Sequence, residues 1–136
     1  FRSRSSSYLW RINSQYDMGG DTLQLSLNTI NNTLIVEFIG ELDHHSSETA
    51  KQMIDEWYYG KQIKNIIFNL SKLEFMDSSG VGLIVARYKI CCENGGKAIL
   101  VNNSPQIERI LQMTGILKIM DEYSSISDAV NNIIKE

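Results

Sequence analysis

Two adjacent serines have the clearest potential for chemistry, in the tetrapeptide Asp77-Ser78-Ser79-Gly80. The apolar run before it, at 63–70, predicts a buried strand, and the apolar residues after it recur at helical spacing. Asp77 or Ser78 can cap that helix, because a short side-chain oxygen accepts a bond from a free backbone N–H. At least one serine hydroxyl then remains at a helix N-terminus, where free N–H groups and the helix dipole favour a phosphate. The remaining serine is either an ordinary first-turn residue or a phosphorylation site.

A second polar cluster, Glu41-Leu42-Asp43-His44-His45, follows the apolar run at 34–39. Its last three residues are of types that bind metal ions, but adjacent histidines cannot easily face one ion from regular structure. No second group of ligands is evident, so we predict no metal site and no cofactor. The structural alternative is a loop that leads into a helix capped by Ser46 or Ser47.

Motifs of several enzyme classes are absent from the sequence. A Gly-x-Ser-x-Gly nucleophile element and a Gly-x-x-x-x-Gly-Lys-Ser/Thr phosphate loop do not occur, so we predict that the protein is not an enzyme. Cys91 and Cys92 are adjacent, and neighbouring residues of a helix point apart. They do not form a disulfide framework, which favours a reduced, cytoplasmic protein.

The periodicity of the chain predicts five strands and four helices that must position these clusters. Alternation and continuous apolar runs predict strands at 22–28, 34–39, 63–70, 97–101 and 117–120. Helical spacing with capping signals predicts helices at 47–59, 78–93, 105–114 and 125–135. The order β-β-α-β-α-β-α-β-α predicts an α/β fold, in which a first hairpin and the βα units that follow build a mixed sheet.

Two glycines, Gly80 and Gly82, fall in the first turn of the second helix, where each weakens the helix by up to about 1 kcal/mol relative to alanine. They either allow another backbone, such as that of a kinase, to come close to Ser79 or fit close packing against the sheet.

Composition and length indicate one domain with a single core: 136 residues, 43% of them hydrophobic. We expect residues 1–21 to be an extension that is added or poorly ordered, and residues 22–136 to be the domain. Residues 1–17 carry a charge of +2 and the rest of the chain −5, which argues against direct binding of nucleic acid. No apolar run approaches the roughly 20 residues of a membrane helix, so we predict no membrane segment.

Three motifs at this spacing resemble one family: Gly40-Glu41-Leu42-Asp43-His44-His45, Phe75-Met76-Asp77-Ser78-Ser79-Gly80 and Met113-Thr114-Gly115-Ile116. They are similar to those of STAS domains, in particular the anti-sigma factor antagonists of sporulating bacteria. The resemblance runs from about Thr22 to the C-terminus. It implies a mixed sheet with the helices gathered mainly on one face.

The resemblance also implies a function in transcription regulation. The unphosphorylated protein would bind an anti-sigma factor that is also a serine kinase and so release a sigma factor. Phosphorylation of Ser79 would end that binding, and a phosphoserine phosphatase would restore it. The implied partner-binding residues are Glu41, Asp43, Asp77, Ser78, Ser79, Gly80 and Gly82. The alternative is a non-catalytic structural STAS module in a larger signalling assembly.

Overall fold

The computed structural model describes residues 15–17 and 23–135 as an α/β domain around one sheet. The strands are β1 (Gln15–Asp17), β2 (Leu23–Ile30), β3 (Thr33–Leu42), β4 (Asn65–Met76), β5 (Ala98–Val101) and β6 (Glu122–Tyr123). The helices are α1 (His44–Gly60), α2 (Ser78–Glu93), α3 (Pro105–Thr114) and α4 (Ile126–Lys135), with a single 3-10 turn at Ile116–Lys118.

The sheet is mixed and its strands lie in chain order, from β1 at one edge to β6 at the other. The pairs β1–β2 and β2–β3 are antiparallel, and the three pairs from β3 to β6 are parallel. Asn31, in the left-handed region with φ 56°, and Asn32 make the two-residue turn between β2 and β3. The antiparallel pairing of β2 and β3 confirms the predicted hairpin. A two-residue hairpin turn needs a positive φ angle, which asparagine tolerates.

Three helices cover one face of the sheet. The main core lies between that face and helices α1, α2 and α3, and its largest fully buried side chains include Phe38, Phe68 and Ile54. The opposite face carries α4, whose Ala129 packs over Ile67 in a smaller cluster. The expected placement of the helices, mainly on one face, is confirmed.

Two predicted strands end or begin elsewhere. β4 continues past residue 70 to Met76, because Leu73 and Met76 are buried while the charged Lys72 and Glu74 alternate outward. The strand predicted at 117–120 is wrong. Gly115 (φ 79°) turns the chain into the 3-10 turn, and the last strand follows at Glu122–Tyr123.

The polar side of β2 is less exposed than its alternation suggests. Ser26 and Asn28 are 6% and 5% exposed. They line a cavity of about 180 Å³ together with Ile126 of α4, since this face of the sheet also carries a helix. Only Gln24 of the three alternating polar residues is exposed.

The segment predicted as an N-terminal extension contributes a strand. Gln15–Asp17 pairs with residues 24–26 of β2, so three residues of that segment belong to the sheet. The rest of the predicted extension, residues 1–14 and 18–21, lies outside the described residues.

Candidate functional site

Asp77 alone separates β4 from α2 and caps the helix. One carboxylate oxygen, Oδ1, accepts hydrogen bonds from the backbone N–H of Ser79 (2.9 Å) and of Gly80 (3.2 Å). The backbone of Asp77 is extended, as an N-cap requires. Of the two caps that the sequence allowed, Asp77 rather than Ser78 is used. The hydroxyls of Ser78 and Ser79 are therefore both free of the capping role.

The same carboxylate also binds the start of α1. The backbone N–H of His44, the first residue of α1, donates to Asp77 Oδ2 over 3.0 Å. The neighbouring parallel strands β3 and β4 bring this about, because Leu42 and Met76 are register partners at their carboxyl ends. A single residue follows each strand before its helix begins. Two helix N-termini therefore lie side by side and share one aspartate.

The imidazole of His44 reaches the second serine. Its Nδ1 lies 3.2 Å from Ser79 Oγ, within hydrogen-bonding distance. The side chain of His44 is exposed and Ser79 is half-buried. No role could be assigned to His44 from the sequence, because the two residues are 35 positions apart and the register of β3 and β4 brings them together. In the structure Asp43 and Asp77 hold matching positions, each directly after its strand, but the predicted strands ended at residues 39 and 70 and did not show this.

Asp43 caps α1 in the same way that Asp77 caps α2. Its Oδ1 accepts from the Ser46 N–H over 3.0 Å, and Ser46 Oγ in turn accepts from the Asp43 N–H over 3.2 Å. This capping box corrects the expectation that Ser46 or Ser47 is the cap. The hydrogen bond from the backbone of Ser46 is the main reason that the pKa of Asp43 is lowered. The carboxylate is thus ionised and fixed at the rim of the site.

The other predicted partner-binding residues differ in exposure. Ser78 and Gly82 are exposed, whereas Glu41 is half-buried near the end of β3 beside Phe75, which is 45% exposed. Gly80 is buried, and a methyl group added to it would lie 2.6 Å from Met76 Cγ. Of the two explanations for the glycines, close packing therefore holds for Gly80. The structure leaves open space around Gly82.

A groove of about 210 Å³ runs between α1 and α2 from Ser79. Lys51 of α1 and Arg87 of α2 line it further along. Arg87 is 7% exposed, and its Nε lies 3.4 Å from Asp55 Oδ1. The pair is close enough for attraction, although Nε and Nη1 have no partner with hydrogen-bond geometry. The groove next to the serine is thus lined by two cationic side chains, Lys51 and Arg87, and by the acidic Glu48.

A larger cavity of about 510 Å³ lies at the other end of the strands, next to the turn between β2 and β3. Lys64, Asn65 and Lys97 line it, and none of the predicted site residues does.

Within residues 15–17 and 23–135, no three His, Cys, Asp or Glu side chains are grouped as metal ligands would be. In the same part of the chain, no helix has the length and apolarity to cross a membrane. Cys91 is buried and Cys92 exposed, as their adjacency on a helix predicts.

The chain matches a known domain family over most of its described residues. The family model of the STAS domain matches residues 24–129, and the chain belongs to that family. It is 37% identical over 111 residues to the anti-sigma F factor antagonist of Paenibacillus polymyxa, a match that covers 82% of this chain and 95% of the relative.

Two solved structures have the same fold. The anti-sigma factor antagonist SpoIIAA in its unphosphorylated form superposes with a TM-score of 0.72 at 30% identity, over 82% of this chain and 97% of the other. The Bacillus cell fate determinant SpoIIAA in the phosphorylated form superposes with a TM-score of 0.64 at 31% identity, over 80% and 98% of the two chains.

Proposed function

We propose that this protein is an anti-sigma factor antagonist controlled by phosphorylation of Ser79. Unphosphorylated, it binds an anti-sigma factor that is also a serine kinase, and a sigma factor is released. Phosphorylation ends the binding, and a phosphoserine phosphatase resets the protein. One observation supports this above all: the hydroxyl of Ser79 lies at a helix N-terminus and is not used as the cap, because Asp77 takes that role. A relative of similar fold occurs in unphosphorylated and phosphorylated forms.

The partner surface in this proposal is the rim formed by the ends of β3 and β4 and the starts of α1 and α2. Its residues are Glu41, Asp43, Asp77, Ser78, Ser79, Gly80 and Gly82. Gly80 is buried, so it contributes by letting α2 begin close to the sheet rather than by touching a partner. The carboxylates give the rim a negative charge, which favours a partner with basic groups and speeds its association. The protein acts in the cytoplasm, without catalysing a reaction of its own.

Phosphorylation should change this surface without unfolding the domain. A phosphate adds about −1.5 to −2 charges at pH 7. The start of α2 stabilises that charge by about 0.3–1 kcal/mol at a partly exposed site, and the carboxylate of Asp77 opposes it. These contributions are small and opposite in sign, so the fold is retained. A partner fitted to a bare hydroxyl is affected far more, because burying a dianion without a paired cation is costly.

Three variants test the mechanism in a mixture with the cognate kinase and ATP. Ser79→Ala should bind the partner and never be phosphorylated, and Ser79→Asp should bind weakly. Ser78→Ala is the matched control, because it removes the neighbouring hydroxyl, and it should be phosphorylated like the unaltered protein. The measurements are mass spectrometry with site localisation and binding titrations of both forms. Phosphate on Ser78 would contradict the assignment to Ser79, and equal affinity of the two forms would contradict the switch and favour a purely structural module.

A further inference from the structure

The cavity of about 180 Å³ beside the start of α4 contains a buried polar group without a partner. Asn28 of β2 lines this cavity and is 5% exposed. Its Oδ1 is buried and accepts no hydrogen bond from the described part of the chain. A buried acceptor without a donor is unfavourable, so a group that donates hydrogen bonds fits at this position.

We propose that this cavity is a binding site for a small organic ligand that carries a primary ammonium group on a short apolar chain. The ammonium group binds Ser26, Asn28 and Glu37, and the apolar chain packs against isoleucine side chains. The cavity is separate from the surface proposed for partner binding, because none of the residues of that surface lines it.

The polar side chains of the cavity come from three adjacent strands. Ser26 of β2 pairs in register with Glu37 of β3, and Glu37 pairs with Asn69 of β4. Asn28 lies two positions after Ser26 and therefore on the same face of the sheet. All four residues line the cavity, and Ser26 is 6% exposed. Regular strands thus hold several oxygen atoms on one wall.

The chemistry of these oxygen atoms favours an ammonium group. The Oδ1 of Asn28 and an ionised Glu37 carboxylate can only accept hydrogen bonds, and the hydroxyl of Ser26 can accept one as well. A primary ammonium group has three donors and no acceptor, so it matches three acceptors. Its bond to Glu37 is charge-assisted and therefore stronger than a neutral one. Calcium and magnesium ions fit less well, because they need about six oxygen ligands and Glu37 is the one carboxylate in the described lining.

The rest of the described lining is apolar and leaves room for a carbon chain. Ile30 of β2, Ile35 of β3 and Ile126 of α4 line the cavity next to the polar residues. The volume of about 180 Å³ is several times the roughly 30 Å³ of one water molecule. A chain of a few carbon atoms is removed from water when it packs against the isoleucines, which favours binding.

A lysine outside the cavity competes for the same carboxylate. Lys72 Nζ lies 3.7 Å from Glu37 Oε2, and the lysine side chain is 64% exposed. Lys72 is not part of the cavity lining. Asn69 Nδ2 donates to the same oxygen over 3.4 Å and helps to position the carboxylate. Because the ammonium group of Lys72 repels a second cation at Glu37, its removal should strengthen binding of the ligand.

The test titrates the whole chain with n-butylammonium chloride at constant ionic strength and follows the backbone amide signals by NMR. We expect saturable shifts at Ser26, Asn28, Glu37 and Ile126. The control ligand is 1-butanol, which has a similar size and shape but no charge. It should bind at least tenfold more weakly, because it cannot make the charge-assisted bond.

Four variants test the residues that are proposed to hold the ammonium group. Asn28→Leu removes the unpartnered acceptor at similar volume, and Glu37→Gln removes the charge, so each should weaken binding at least tenfold. Lys72→Gln should strengthen binding about threefold, since an exposed ion pair is weak. Gln24→Leu is the matched control, because Gln24 is exposed on the same face of β2 and does not line the cavity. It should leave the affinity unchanged.

Urea denaturation establishes that each variant is folded, and Ser26→Ala replaces Asn28→Leu if that variant does not fold. Shifts that do not saturate, or equal affinities for the ammonium ion and the alcohol, would overturn the proposal and leave a hydrated polar cavity. Unchanged affinity in both Glu37→Gln and the Asn28 or Ser26 variant would do the same. If Lys72→Gln fails to strengthen binding, Glu37 is not the counter-ion of the ligand and the proposed site is wrong.

Discussion

Two helices start at the carboxyl edge of the sheet with a serine at or near the cap, and they use it differently. α3 follows β5, and its cap is Ser104, whose Oγ accepts the N–H of Ile107 over 3.4 Å before Pro105 opens the helix. α2 follows β4, and its cap is Asp77, which leaves Ser79 outside the capping bonds. A serine can cap a helix or remain available for modification. The aspartate at α2 makes the second possible.

The hydrogen bonds around Ser104 and Ser79 also differ. Asn102 holds the backbone of Ser104 on both sides: its Oδ1 accepts the Ser104 N–H over 3.0 Å, and its Nδ2 donates to the Ser104 carbonyl over 3.1 Å. The loop before α3 is thus fixed by residues of that loop. The start of α2 is instead tied to a second helix through Asp77 and His44. The start of α3 has a local structural role, whereas the start of α2 joins two parts of the molecule.

The largest effect should come from removing the shared cap. Asp77→Ala deletes an acceptor for three backbone N–H groups, so the free energy of unfolding should fall by about 2–3 kcal/mol. Ser104→Ala, the matched variant at α3, should cost only about 1 kcal/mol. Asp77→Asn should fall between them, because its amide oxygen can cap α2 but its NH₂ group cannot accept from His44. Urea denaturation measures all three. Equal losses at Asp77 and Ser104 would mean that the two caps are equivalent, and a smaller loss at Asp77 would contradict its role as a shared cap.

The two glycines at the start of α2 should give effects of opposite sign. A methyl group on Gly80 meets Met76 Cγ at 2.6 Å and Leu42 Cγ at 2.9 Å, so Gly80→Ala should lose about 1–2 kcal/mol of stability after the gain in helix propensity. Gly82→Ala meets nothing within 4 Å and should gain up to about 1 kcal/mol. Thermal unfolding compares the variants. A loss at both positions would show that the whole turn, and not Gly80 alone, is packed against the sheet.

The smallest effect concerns pH and the start of α3. Burial and the neighbouring Glu108 raise the pKa of Glu122 from 4.5 to about 7. The folded state therefore holds a proton that the unfolded chain releases near pH 4.5, so this group makes stability fall as the pH rises from about 4.5 to about 7.

Unfolding titrations across this pH range test the assignment. Glu122→Gln should reduce the fall in stability, by a modest amount because Glu122 is only half-buried. The matched control is Glu56→Gln, which removes one negative charge from an exposed position on α1. An unchanged pH dependence in Glu122→Gln would contradict the raised pKa.

The boundaries of α2 and α3 could be read from the sequence because their signals are local. Each start has a capping side chain next to it, and Gly115 ends α3. The start of α1 was misplaced by three residues because Ser46 and Ser47 compete with Asp43 as caps in the sequence. In the fold Ser46 is instead the third residue of the helix and completes the capping box. Local chemistry predicts that a helix starts, but several adjacent candidates leave its first residue open.

The contact at the centre of the site could not be read from the sequence at all. His44 and Ser79 meet because Leu42 pairs with Met76 at the ends of β3 and β4. This pairing requires β4 to reach Met76 and includes two shifts of register with β3, whereas the sequence predicted a connection after residue 70. The family motifs in the sequence pointed to Ser79. Its contact with His44 depends on where β3 and β4 end, and the sequence did not predict those ends.

The short outer strands have a consequence for how the molecule meets copies of itself. β1 has three residues and β6 has two, whereas β3 and β4, inside the sheet, have ten and twelve. A long apolar strand with free backbone groups is a template on which other chains add strands and aggregate. In this sheet β3 is paired on both sides over most of its length, and β4 pairs with β5 over residues 66–69. Among the described residues, the outermost strands β1 and β6 offer an incoming chain only three and two residues. The outermost described strands therefore give another chain little backbone to pair with, which disfavours self-association by strand addition at β1 and β6.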